Sequence, residues 1–168
     1  PAEITDEQLL AHVPDWYFAA HRARYSSASE PLMVGQTLLV EAADTVTCAP
    51  ELVRMTLNLA MTHTDATRSV YGKRLVYGGH TISIASKQLA MGLPHILQIL
   101  AWYRCDHVGP VFEGDILSSQ ITIKGTHKVQ DATVVKLSVE VFAKRGPEAP
   151  SDLPDAKVLD WSLAALLP

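Results

Sequence analysis

What most constrains this chain is the order of its last five segments: one helix rich in small residues, then four strand-like runs joined mostly by short links. The helix is predicted over 81–89, where Ile82, Ala85 and Leu89 fall at i, i+3 and i+7 with small Ser83 and Ser86 between them, and Gly92-Leu93-Pro94 ends it. The strand-like runs are 96–106, 115–125, 132–144 and 157–167, separated by turn chemistry at Gly109-Pro110, Gly114, Gly125 and Gly146-Pro147. Alternation is clearest within 133–144, where Val134, Leu137, Val139 and Val141 interleave with Lys136, Ser138 and Glu140. Consecutive strands with short links favour antiparallel pairing. The predicted class is therefore α+β, an antiparallel sheet curled around a central helix (Thr81 to Leu89) that covers one face.

Upstream, Thr5-Asp6-Glu7-Gln8 has capping-box spacing and is followed by Leu9, Leu10 and Val13 before Pro14, so a short helix opens the chain. Residues 15–31 are rich in aromatic, Arg and Ser residues without a clean period, and read as an irregular arm that covers something. A strand-like run begins after Gly35, and Pro50 is placed to start a helix with a stripe of Leu52, Val53, Met55, Thr56, Leu59 and Ala60 that stops near 61–63. The expected organisation is an arm over 1–33 and one domain over 34–168.

At 168 residues there is enough chain for one sizeable core and too little for two. With 48% apolar residues and a net charge of -4, a polyanionic partner such as nucleic acid is not expected. The longest apolar runs fall short of the roughly 20 residues of a membrane helix, and the N-terminus lacks a basic region followed by an apolar one. Cys48 and Cys105 have no CxxC spacing, which argues against a disulfide framework or zinc site and for two buried thiols in a reducing cytosol. A cytoplasmic protein without cofactor is expected. The chain starts at Pro1 with no Met, consistent with processing or with a piece of something longer.

Candidate chemistry gathers between 58 and 86, above all at Tyr77-Gly78-Gly79-His80-Thr81. A glycine pair before a helix lets a ligand oxygen approach the first backbone N–H groups, where the positive end of the helix favours an enolate or oxyanion. The same pair also serves as a plain strand-to-helix turn. His63, Asp65 and His80 bracket it: a histidine can act as acid or base near neutral pH, and Asp65 is close enough in sequence to orient the His63 ring. Asn58 can position a water but cannot take a proton. His63 as a surface residue and His80 as a capping or packing residue remain open. No HxxxH or HxH spacing supports a metal site, and there is neither a nucleophile elbow nor a phosphate loop.

The residues 71–81, Tyr71-Gly72-Lys73-Arg74-Leu75-Val76-Tyr77-Gly78-Gly79-His80-Thr81, resemble the "FGRPIAHGMLT" run that opens the central helix of MaoC-like hot-dog proteins, the superfamily of (R)-specific enoyl-CoA hydratases. His107-Val108-Gly109-Pro110-Val111-Phe112-Glu113-Gly114-Asp115 is similar to their "P-V-x-x-G-D" run, and Val34-Gly35-Gln36-Thr37 to their first strand. Residues 58–63 fall where the hydratases carry D-x-N-P-x-H, and the whole is most similar to the C-terminal half of double hot-dog members of the mesaconyl-CoA hydratase group. The resemblance covers about 35–161. It implies a hot-dog fold, an acyl-CoA substrate and a second hot-dog domain as partner.

The departure from that pattern is specific. Asn58 stands where the family has its catalytic Asp, Ala60 and Met61 replace Asn-Pro, and His63 alone of the acid/base pair is kept. The resemblance implies His63 acting on water or the α-proton, Asn58 holding the water, Gly78 and Gly79 N–H groups binding the thioester oxygen, and Asp65, Tyr77 and His80 around the pocket. An enoyl-CoA hydratase-like lyase is the leading expectation. A non-catalytic half that binds acyl-CoA and completes a double hot dog is the alternative. A hot-dog thioesterase ranks last, because 81–89 holds no Asp or Glu where those enzymes place a carboxylate.

Overall fold

Thr5 opens the first helix, α1 (Asp6–Leu10), through the expected capping box: its Oγ1 accepts the Gln8 N–H at 3.2 Å while Gln8 Oε1 accepts the Thr5 N–H at 3.0 Å. The computed structural model describes residues 4–15, 18–25, 31–129 and 131–168. The stretch read as an irregular arm contains a second helix, α2 (Phe18–Tyr25); its residues 16, 17 and 26–30 lie outside the described residues.

The sheet has five strands: β1 (Thr37–Thr45), β2 (Gln98–His107), β3 (Ile116–Val129), β4 (Ala132–Lys144) and β5 (Ala156–Leu167). They lie in the order β1-β3-β4-β5-β2, with every neighbouring pair antiparallel. The strands predicted downstream of the helix are all present. One face receives the central helix, α4 (Gly78–Gly92), which packs across β1, β3 and β4. Thr81, Ala85, Gln88 and Leu89, at i, i+4, i+7 and i+8, form its buried stripe. Its core partners include Ile121, Ile123, Val139, Trp161 and Leu163, all fully buried or nearly so. Each such Leu or Ile contributes about 1.5–3 kcal/mol of burial. The fit at the helix end is close: a Cβ at Gly92 would lie 2.7 Å from Ile121 Cδ1, so no larger residue fits there without a shift.

Adjacent strand residues point to opposite faces, yet Val134 and Val135 are both buried. The second face is therefore covered too. Leu9 of α1 and Phe18 of α2 pack there against Ala132, Val134, Ala164 and Leu166, and Arg22 pairs with Asp131 at 2.7 Å. The N-terminal helices act as a cap over one end of β4 and β5.

Two expectations are corrected by local backbone chemistry. The helix started by Pro50, α3 (Ala49–Met55), ends six residues before the expected region. Thr56 Oγ1 bonds back to the Leu52 carbonyl, Leu57 takes φ 54°, and the chain turns away. Of the expected stripe Val53 alone is buried, while Met55 and Leu59 are 80% and 92% exposed. Cys48 is exposed as the N-cap of α3 and Cys105 is half-buried, so neither is the buried thiol the composition suggested. Among the described residues, no helix is long and apolar enough to cross a membrane.

The turn before β3 is held by a buried ion pair. Asp115 is fully buried; its carboxylate accepts from Arg145 Nη1 at 2.8 Å, from the Phe112 N–H at 3.0 Å and from the Gly146 N–H at 2.8 Å. Arg145 also donates to the Pro110 carbonyl, so residues 110–115 are fixed against the loop after β4. That clamp sets the wall of the cavity described next.

Candidate active site

Residues 75–77 run extended between two other segments: Leu75 N–H donates to the Thr62 carbonyl at 3.1 Å and Val76 N–H to the Val111 carbonyl at 2.9 Å. This places the start of α4 between the 61–63 turn and the end of β2. The central helix begins at Gly78, three residues earlier than its apolar period indicates, so the glycines are its first two residues and not a turn ahead of it. Tyr77 is the N-cap and offers no side-chain bond. The His80 N–H turns back to the Tyr77 carbonyl, whereas the N–H groups of Gly78 and Gly79 have no acceptor among the described residues.

Both glycines leave room for the rings that lie against them. A Cβ on Gly79 would stand 2.5 Å from the Tyr77 ring, and one on Gly78 would stand 2.5 Å from His107 Nε2. These two rings flank the free N–H groups.

His63 closes a single 3₁₀ turn, Met61–His63, and its Nδ1 lies 2.9 Å from the Leu75 carbonyl oxygen. A carbonyl only accepts, so Nδ1 carries the proton and Nε2 of the neutral ring keeps its lone pair. The ring meets Tyr77 edge-on with centroids 5.9 Å apart. Asn58 Oδ1 accepts the Ala60 N–H at 2.8 Å in a local Asx turn, leaving the amide NH₂ as its outward donor.

Asn58, His63, Tyr77, Gly78 and Gly79 line one open cavity of about 750 Å³, whose remaining wall is largely apolar and includes His107. Among the described residues, no Asp or Glu lines it. Five of the seven residues singled out from the sequence thus meet in one place. Asp65 does not join them. Its Oδ1 accepts from the Thr67 N–H and hydroxyl, bonds that lower its pKa and cap the turn Ala66–Arg68, and it lines a neighbouring cavity with Lys73, Arg74, Glu113 and Glu148. It makes no hydrogen bond to His63 that would orient the ring. His80 likewise lines neither cavity: it is half-buried with Nδ1 unpartnered, and burial lowers its pKa against the opposing pull of Glu113.

His107 is the residue that sequence reasoning missed. It ends β2, the edge strand beside β5, and nothing in its neighbourhood along the chain shows that this edge faces the first turn of α4. His107 is exposed at the cavity, where partial desolvation of the ring lowers its pKa, opposed by the adjacent Asp106 carboxylate. Its one sequence signal was its place in the run that ends at Gly114-Asp115.

No family model matches the chain. It is 34% identical over 96 residues to the mesaconyl-CoA hydratase of Cereibacter sphaeroides, a match covering 56% of this chain and 28% of that protein. A conserved hypothetical protein of Mycobacterium tuberculosis with a double hot-dog fold superposes with a TM-score of 0.75 at 38% identity, over 99% of this chain and 47% of that one. A MaoC domain dehydratase of Chloroflexus aurantiacus superposes with a TM-score of 0.72 at 21% identity, over the whole chain and 49% of that protein. The chain has the hot-dog fold and is similar to MaoC-like hot-dog proteins. Its five-stranded antiparallel sheet around α4 is the hot-dog fold, and it spans about half the length of these two solved structures and less of the curated relative.

Within the hot-dog frame the departure at Asn58 has a physical consequence. The amide oxygen that replaces a carboxylate oxygen is occupied by the Ala60 N–H, so the side chain of Asn58 meets the cavity as a donor and not as a base. Among the described residues, the titratable groups on the cavity are two imidazoles, His63 and His107, and two tyrosines, Tyr71 and Tyr77.

Proposed function

We propose that this hot-dog domain binds an acyl-CoA thioester in the His63 cavity and catalyses the reversible (R)-specific hydration of an enoyl-CoA. The observation that supports this reading is the convergence of a histidine held in one tautomer with two acceptor-free backbone N–H groups on a single cavity of about 750 Å³, within the ordinary range for small-ligand sites. The thioester oxygen lies at Gly78 and Gly79. Nε2 of His63 takes a proton from water as the oxygen bonds to the β-carbon, and the displaced electron pair is held as an enolate by the two N–H groups. The imidazolium then returns the proton to the α-carbon. The relatives' names, a mesaconyl-CoA hydratase and a MaoC dehydratase, point the same way. Turnover on crotonyl-CoA or mesaconyl-CoA should fall by about 10²- to 10⁴-fold in His63→Ala with acyl-CoA binding retained; unchanged turnover would sink the assignment.

A second reading has its own observation. With Asn58 in place of Asp and its oxygen tied into an Asx turn, the domain is the supporting half of a double hot dog, binding acyl-CoA without turning it over. Asn58→Asp keeps the acceptor for Ala60 and adds a carboxylate. A gain in hydration rate favours the lyase; no gain, with binding intact, favours the supporting half.

Either way the proposed partner is a second hot-dog domain, from the same chain or another copy. Met55, Leu59 and Val70, exposed at 80%, 92% and 93%, lie in the segments that carry Asn58, His63 and Tyr71 to the cavity and suit an apolar contact of this kind. Light scattering that finds a lone domain with full acyl-CoA affinity would count against it.

A further inference from the structure

We propose that His107 is a catalytic residue of this site, donating its Nε2–H to the thioester oxygen as a third donor beside the Gly78 and Gly79 N–H groups. The inference rests on the reading of the cavity as a thioester site and adds to it a side chain that the family pattern did not supply.

The geometry is specific. Nε2 is the corner of the ring nearest Gly78: a Cβ there would meet Nε2 at 2.5 Å, Cε1 at 2.8 Å and Cδ2 at 3.1 Å, so the imidazole tip points at the first residue of α4. That residue is a glycine, which leaves room for the ring. Neither ring nitrogen has a hydrogen-bond partner among the described residues, although the ring lines the cavity. Val108 N–H donates to the Val158 carbonyl at 3.0 Å, and Gly109 lies close against the Lys157 carbonyl, so the end of β2 is held against β5 and the ring is presented from a fixed backbone. An imidazole that is exposed at the cavity and has no hydrogen-bond partner among the described residues sits beside two N–H groups in the same state.

The electrostatics favour the neutral ring. Desolvation lowers the His107 pKa, so at neutral pH the ring offers one N–H and no full charge. A neutral imidazole donor polarises a carbonyl without having to surrender a proton to it. No bond to hydrogen is made or broken at His107: the proton cycle stays on His63, and His107 stabilises charge on oxygen while the enolate exists.

The test separates this inference from the reading it rests on. Infrared difference spectra of a carbonyl-labelled enoyl-CoA report the polarisation of the bound C=O, alongside kcat and the Kd of a saturated acyl-CoA. Wild type should lower the carbonyl stretch. His107→Phe should lose most of that shift and about 10²- to 10³-fold in kcat, the usual effect of removing one oxyanion donor, with Kd changed less than about threefold. His107→Gln, whose amide N–H reaches the Nε2 position, should retain most of the shift. Gly78→Ala, which displaces the ring without altering it, should behave like His107→Phe if circular dichroism shows a folded chain. A wild-type carbonyl stretch in both His107→Phe and Gly78→Ala overturns the inference. If wild type binds the thioester without hydrating it, the hydratase reading fails while the spectral comparison still decides the role of His107; if no thioester binds, both are overturned.

Discussion

The backbone N–H of Asn58 donates to the carbonyl oxygen of Val53 at 3.1 Å, a bond that spans five residues and closes the C-terminus of α3. Together with Leu57 N–H to the Arg54 carbonyl it forms a Schellman motif, whose left-handed position is ordinarily glycine and here is Leu57 at φ 54°. A leucine at that position carries a steric cost of about 1–2 kcal/mol. The motif delivers Asn58 to the cavity.

Leu57→Gly should therefore stabilise the fold. The side chain is 80% exposed, so little packing is lost, and relief of strain outweighs the extra chain entropy of glycine by about 0.5–1 kcal/mol. Urea denaturation followed by circular dichroism measures it. A midpoint below wild type would show that Leu57 makes a contact worth more than its strain.

Asp115 and Arg145 make the opposite kind of prediction. Asp115 is 0% exposed and the Arg145 side chain 9%, and removing one partner leaves a buried charge uncompensated, at about 3–5 kcal/mol. Asp115→Asn should lose that much in urea titration. The double variant Asp115→Asn with Arg145→Met should recover part of the loss, because it removes the orphaned cation. Equal stability of the single variant and wild type would show the pair to be dispensable.

These two places also mark what the sequence could and could not reveal. The long periodic signals were legible: the strands after α4 announce themselves through Leu137, Val139 and Val141, and the helix through Ala85 and Leu89, because burial of one face imposes a period. The end of α3 was not, since it depends on one hydroxyl of Thr56 and one left-handed residue, and Leu59 continues the apolar period while fully outside the core. The helix α2 was hidden because the apolar surface it covers, Ala164 and Leu166, lies at the far end of the chain and its polar residues Arg22 and Arg24 blur the stripe. In the site, residues close along the chain to the glycine pair were found. His107 reaches the same cavity through the pairing of β2 with β5, a tertiary relation that no local pattern carries.

His63 should divide into two separable roles. Its Nδ1 bonds the Leu75 carbonyl and its Nε2 has no hydrogen-bond partner among the described residues. His63→Asn can keep the first bond through its amide N–H but has no basic nitrogen, whereas His63→Ala keeps neither. Both should lower kcat by about 10²- to 10⁴-fold. The alanine variant alone should lose about 1 kcal/mol of stability, the usual contribution of one hydrogen bond. Enoyl-thioester absorbance and thermal melts give the two readouts, and a fully active asparagine variant would remove His63 from the proton path.

His80 makes stability depend on pH with a definite sign. Its Nδ1 is buried without a partner, and desolvation lowers its pKa below the ordinary imidazole value while Glu113 opposes the shift. His107 is shifted the same way, with Asp106 opposing. A lowered histidine pKa in the folded chain means that, as pH falls, the unfolded chain takes up the proton first. The contribution is therefore fully present above the unfolded value of about 6.5 and is lost as pH falls from there toward the folded pKa. Asp44, whose carboxylate is held low by Lys87 and Gln88, loses its contribution only at more acid pH, so the windows separate. The melting temperature should drop between pH 7.5 and 5.5, and His80→Gln, which cannot be protonated, should show a smaller drop. Parallel pH profiles for the two proteins would mean that the buried imidazole is not the group whose protonation unsettles the fold.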